Sequence, residues 1–333
     1  MNGIRACRSL VVAILLALIA GCGTPQAPGL TGEWAGLLDE LRAFERRIGF
    51  ADTRNFATLS HDQGEYPFCG HVPPLTLPYS YEDPAITWLN STTEEECRAR
   101  SGDADVYFGA SEALGEIGAP VTRAMITGKL DRFIYLVIHE NCHDQFGLPY
   151  GIEEALCEFI TYKAMALFSA EKYGLYAGAG RAIRGYAETR SARTHATIGY
   201  YDQLAALYAR HERGEIPPEA LLRERTAIFE TARKQLDWSA GELNNVAIAN
   251  RMTYSRHYPL MESVFDALGR DPARMVAFFR QVDRIKPSGA QVMEWKRIVD
   301  ERSLAFVRAY ELAVVETIRR TLAGEGTFDK VSK

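Results

Sequence analysis

Residues 138–146 read Ile-His-Glu-Asn-Cys-His-Asp-Gln-Phe, so His139, Glu140 and His143 fill an H-E-x-x-H pattern. On an α-helix, positions four apart lie one turn apart on the same face. Both imidazoles can then reach one zinc ion, with the Glu140 carboxylate beside them as general base. A catalytic zinc takes a third protein ligand and keeps a position for water. The segment after the motif, Tyr-Gly-Ile-Glu-Glu-Ala-Leu-Cys-Glu-Phe over 150–159, offers Glu154 for that place, with Glu153 as the alternative.

These side chains need two helices and a reversal between them. Leu136, Val137 and Ile138 are apolar, as a buried helix requires. Asp131 is the expected N-cap of a helix over 132–146, and Gly147 its stop. Gly147-Leu148-Pro149-Tyr150-Gly151 reads as a turn, followed by a second helix over 152–172. A short reversal makes the two helices neighbours and folds Glu154 back toward the histidine face. Glu158 shares a face with Glu154. It is expected to accept the free N–H of a zinc-bound histidine, His139, as such ligands ordinarily require. Asp144 is a second candidate for that orienting place, or else a polar helix-end residue. Glu153 reads as a solvated surface carboxylate if it is not a ligand.

The N-terminus has a different chemistry. Arg5 and Arg8 precede an apolar run, Leu10 to Ile19, too short to span a bilayer. It ends in Leu18-Ile19-Ala20-Gly21-Cys22, which resembles a bacterial lipobox. The resemblance implies a signal peptide over 1–21, cleavage before Cys22 and lipidation of that cysteine. Residues 22–32 would then be the lipidated cysteine and a Gly- and Pro-containing flexible tether. Gly23 stands where an inner-membrane retention signal would place Asp. The expected address is therefore the cell envelope, at the outer membrane facing the periplasm.

The 333-residue chain has a formal net charge of −5, and loss of Arg5 and Arg8 makes it more acidic. That balance argues against nucleic acid as a partner. Beyond Cys7 and Cys22, four cysteines remain. An even number outside the cytoplasm favours disulfides. Cys69–Cys97 and Cys142–Cys157 are the preferred pairs, the second stapling the two metal-site helices together. Buried free thiols at Cys142 and Cys157 are the alternative.

The rest of the chain reads as mainly α with a small β portion. One domain over 33–333 is expected, with a mixed α/β part over 33–130 and a helical part over 131–333. Periodicity predicts a helix over 34–50. Short strands are expected within 55–110, as at 56–59 and 106–108, where several prolines forbid long ones. Helices are expected over 181–212, 218–237, 242–268, 272–284 and 289–323. His61, His71, His195 and His211 fit no ligand pattern.

Two resemblances extend this reading. Glu154-Ala155-Leu156-Cys157-Glu158-Phe159 is similar to the segment that carries the glutamate ligand in gluzincin peptidases. Asp105-Val106-Tyr107-Phe108-Gly109, Asn244-Asn245, Tyr254, Ala267-Leu268-Gly269-Arg270-Asp271 and Phe278-Phe279 resemble segments of a bacterial family of predicted aminopeptidase lipoproteins. The likeness implies a zincin-like fold and a zinc peptidase acting on peptides. In that mechanism His139, His143 and Glu154 hold one zinc ion and Glu140 moves the proton. Tyr254, or else His257, donates to the oxyanion. Asn244 and Asn245 bind substrate, or instead cap a helix. Asn141-Cys142 is a more polar filling of the motif than usual, and Asp144 is charged where many relatives are apolar. These departures keep two other readings open: a non-catalytic envelope lipoprotein on a zincin scaffold, and a zinc amidohydrolase with a non-peptide substrate.

Overall fold

The computed structural model describes residues 32–60, 64–90, 93–115, 118–239 and 241–325. Residues 1–31, with the expected signal segment, Cys22 and nearly all of the tether, lie outside them, as does His61. Among the described residues no helix is long and apolar enough to cross a membrane.

The chain is mainly helical, and among the described residues every strand lies before residue 123. Helix α1 (Glu33–Arg47) buries Leu37, Leu38, Leu41 and Phe44 along one stripe and packs on the motif helix. A two-residue strand β1 (Leu59–Ser60) pairs in parallel with β5 (Val121–Thr122). Strand β2 (Tyr66–Val72) is the centre of an antiparallel sheet, between β3 (Thr87–Leu89) and β4 (Asp105–Ser111). The expected strand over 56–59 shrinks to its end because Phe56 has φ 59°, a left-handed turn conformation. Helix α2 (Glu94–Ser101), which periodicity did not predict, is capped by Thr93 and tied to β2 by the Cys69–Cys97 disulfide.

After the short helix α3 (Arg123–Thr127) comes α4 (Leu130–His143), the motif helix. Its N-cap is Lys129, not Asp131; Asp131 sits in the first turn, where a carboxylate complements exposed N–H groups. It ends at His143 with Asp144 as C-cap, ahead of Gly147. Helix α5 (Tyr150–Tyr173) is apolar around most of its circumference and buried on nearly all sides. It packs against α4, α6 (Gly178–Glu212), α8 (Asn245–Ser255) and α9 (Tyr258–Ala267). Helix α7 (Pro218–Gln235) lies on α6.

Two expected long helices are broken. The stretch 242–268 divides into α8 and α9, with His257 at the junction and Pro259 in the first turn of α9, where its missing N–H costs nothing. The stretch 289–323 divides into α11 (Gly289–Lys296), stopped by Arg297 in the left-handed conformation, and α12 (Leu304–Glu325). Helix α10 (Pro272–Ile285) begins at the Asp271 cap. One apolar core joins α1, α4, α5, α9, α10 and α12, and a second joins the sheet to α6, α7 and α8. The metal-motif helices lie in the first, with α8 bridging to the second.

Candidate metal centre

Helix α4 places His139 and His143 on one face, and the turn after it returns the chain so that Glu154 meets them. His139 Nε2 and His143 Nε2 lie 3.3 Å apart. Glu154 Oε2 lies 3.3 Å from the first and 3.4 Å from the second. Three donors on a tetrahedral zinc, with bonds of about 2.0–2.2 Å, stand about 3.3–3.6 Å apart. The triangle therefore fits such an ion. Buried Glu154 Oε2 accepts no well-aligned hydrogen bond from the protein, which is unusual for a buried carboxylate oxygen. Among the described residues these three are the group that could hold a metal ion.

The electrostatics agree. Burial alone would raise the Glu154 carboxyl, but the His143 and His139 imidazoles outweigh it and hold it well below the usual range. Burial works against protonated His143, yet Glu154 and Glu153 raise it well above the ordinary value. A carboxylate that draws positive charge this strongly onto its neighbours suits a divalent cation equally.

The partners around the triangle differ in part from expectation. His143 Nδ1 bonds to Glu153 Oε1 at 3.2 Å, and Glu153 Oε2 accepts Leu148 N–H at 2.9 Å. Glu153 is thus a buried orienting carboxylate, not a solvated one, because the turn drives the first residues of α5 inward. Its place in the first turn of a helix beside a tight reversal was the available signal. Glu158 Oε2 faces His139 Nδ1 at 4.0 Å, beyond hydrogen-bond reach. Its oxygens instead accept the phenols of Tyr135 and Tyr162. Asp144 accepts from Asn55 Nδ2 at 3.2 Å, while the same amide holds the Glu140 carbonyl at 3.1 Å.

Glu140 points toward Gly115, whose N–H reaches Oε2 at 2.7 Å. A Cβ at 115 would stand 2.6 Å from the Glu140 carbonyl oxygen, so only glycine permits this approach. Burial raises the Glu140 carboxyl, against the pull of both histidines; a general base tuned upward from its usual range works nearer neutrality. Tyr254 of α8 lies with its ring centroid 6.3 Å from that of His139. Burial and then Glu154 push its phenol well above the ordinary value, so it stays a neutral donor. Sequence reasoning missed Tyr150, whose buried phenol senses Glu154, and Tyr81 beside it with ring centroids 5.8 Å apart.

The asparagines take another role from substrate binding. Asn244 caps α8 by accepting Ala247 N–H at 3.1 Å and donates to the Val106 carbonyl at 2.7 Å. Asn245 donates to the carbonyls of Pro74 and Thr76. Both are buried and pin α8 to the sheet and the loop beside it, because a helix start surrounded by peptide groups needs such donors. His257 bonds to Glu311 Oε2 at 3.1 Å, which also accepts from Tyr79.

The motif's polar filling has partners too. Asn141 Nδ2 donates to both oxygens of Glu45, at 3.0 and 2.9 Å. Its Oδ1 accepts from Thr53 Oγ1 at 2.8 Å. Cys142 is disulfide-bonded to Cys157, with Cα atoms 5.5 Å apart. Both preferred cysteine pairs are therefore present.

No curated protein and no solved structure matches this chain. Residues 59–293 match the family model described as "Putative aminopeptidase", and the span includes the motif, the turn and both asparagines; the chain belongs to that family.

Proposed function

We propose that the protein is a zinc-dependent metallopeptidase of aminopeptidase type. The observation that carries this reading is the buried triangle of His139 Nε2, His143 Nε2 and Glu154 Oε2, with edges of 3.3–3.4 Å. Zinc held there would lower the pKa of a bound water toward neutrality and polarise the scissile carbonyl. Glu140, beside the histidines, takes the proton of the attacking water and returns it to the leaving amine. The Tyr254 phenol, kept neutral by its surroundings, donates to the developing oxyanion. Glu153, bonded to His143 Nδ1, would hold His143 in the tautomer that leaves the Nε2 lone pair for the metal. The lipobox-like Leu18–Cys22 segment supports a lipid anchor at Cys22 and an envelope location, at the outer membrane facing the periplasm. Incorporation of labelled fatty acid that a Cys22→Ser change abolishes tests that part.

Metal analysis and cleavage profiling of the full chain, with and without a chelator, test the chemistry. We expect about one zinc per chain and chelator-sensitive hydrolysis. Glu140→Gln should keep the metal and lose about 10³-fold or more in kcat, since a positioned base and its proton return act together. Unchanged hydrolysis by that variant would trace the activity to a contaminant. Bound metal without any peptide hydrolysis would favour a binding scaffold or a non-peptide substrate.

A further inference from the structure

Next to Tyr254 and Glu158 lies a cavity of about 150 Å³ whose wall includes Arg190, Arg193, Arg251, Asp237 and Trp238. It adjoins the metal centre: Glu158 faces His139 Nδ1 at 4.0 Å, and the Tyr254 ring lies 6.3 Å from that of His139. Arg251 and Tyr254 are three apart on α8 and so share a face. Both line the cavity, and the Tyr254 ring also approaches that of His139.

The wall carries three arginines against two acids. Arg193 is paired with the exposed Asp237 at 2.7 Å. Glu158, the other acid of the wall, gives its oxygens to the phenols of Tyr135 and Tyr162. Arg251 lies 5.5 Å over the Trp238 ring and Arg190 lies 5.2 Å over the Tyr186 ring. Among the described residues neither guanidinium forms an ion pair with a carboxylate, although the charge of Glu158 acts on Arg251. Each contributes a planar fork of N–H donors to the wall of the cavity. Such a fork matches a carboxylate in bidentate geometry. The volume is that of an engineered cavity able to take a benzene ring. It admits one side chain or one chain terminus and excludes a bulky polyanion.

We propose that this cavity is a subsite for a carboxylate of the peptide substrate, held by Arg190 and Arg251, one residue away from the scissile bond. The proposal rests on the peptidase reading above. The carboxylate has two sources: the C-terminus of a short peptide, or the side chain of Asp or Glu.

Matched peptides that differ only in that charge decide the matter. Short peptides with a free or amidated C-terminus, and peptides with Glu or Gln at each position, are compared by kcat/KM on the zinc-loaded full chain. One pair should differ by about tenfold or more in favour of the carboxylate, and which pair does so identifies the source. In Arg190→Gln and Arg251→Gln that ratio should fall toward one. Equal rates within every pair, or a preference that survives both substitutions, overturns the subsite. Binding is measured separately by calorimetry, using acetyl-Gly-Gly with a free or amidated end and acetyl-Glu-amide against acetyl-Gln-amide. Selective binding of a carboxylate probe, lost in the variants, supports the subsite even if no peptide is hydrolysed, in which case only the peptidase reading falls. Hydrolysis with no discrimination among pairs leaves the peptidase reading intact and removes the subsite. Arg251→Lys, which keeps the charge, and the more accessible Arg190→Gln keep the test decisive if Arg251→Gln does not fold.

Discussion

Helix α4 turns one face to Glu154 and Gly115 and another to α1. The first carries His139, Glu140 and His143, with buried polar atoms aimed at a shared point and, in Glu154 Oε2, an oxygen with no protein donor. The second carries Asn141, whose amide is satisfied on all sides by Glu45 and Thr53. Cys142, beside it, is closed covalently on Cys157. One face is left chemically open and the other is sealed. The contrast lies in the partners: Asn141 on the sealed face is satisfied by Glu45 and Thr53, while Glu154 Oε2 and His139 Nδ1 on the open one have no protein partner. Asn141 and Cys142, the unusual filling of the motif, each have a structural partner.

Changes on the open face should cost rate without stability, and changes on the sealed face the reverse. Tyr254→Phe removes one phenol next to His139 and should lower kcat by about 10²–10³ with metal content unchanged. A loss below about threefold in steady-state kinetics would take Tyr254 out of the oxyanion site. The double change Cys142→Ser and Cys157→Ser opens a link across 15 residues and should cost about 3 kcal/mol in denaturant unfolding. If stability is unchanged and metal affinity falls instead, the disulfide belongs functionally to the open face.

Glu45 gives the smallest effect and the sharpest signature. Burial pushes its carboxyl up from 4.5 to about 8, against the Asn141 amide and Arg42. A carboxyl raised on folding favours the protonated folded state. Its contribution is full below the unfolded value and is lost as pH rises through about 8. Glu45→Gln keeps an acceptor for Asn141 and removes the titration. Its stability should match the wild type near pH 4.5 and exceed it by a growing margin as pH rises to about 8. Thermal melts across that range check this, and parallel pH profiles for the two proteins would refute it.

How much of this was legible beforehand depended on sequence distance. The motif, the turn and Glu154 span 16 residues, 139–154, and helical spacing plus one reversal suffices to bring them together. The helical class and the strands' confinement to the first part follow from similarly local patterns, whereas the cysteine pairs were a preference among alternatives. Glu153 was misjudged because its exposure depends on how tightly the turn closes. Asn244 and Asn245 read equally as substrate contacts or as helix caps, because what surrounds a helix start is set by a sheet far away in the chain.

Which groups share a helix face is written in the chain itself, since 3.6 residues per turn fixes that locally. The metal triangle was therefore within its reach. Only the tertiary structure decided what each face meets: Glu45 lies 96 positions from Asn141, and Arg190 and Arg251 reach one cavity from two helices. Such meetings arise from side-chain packing between distant elements, which periodicity does not encode.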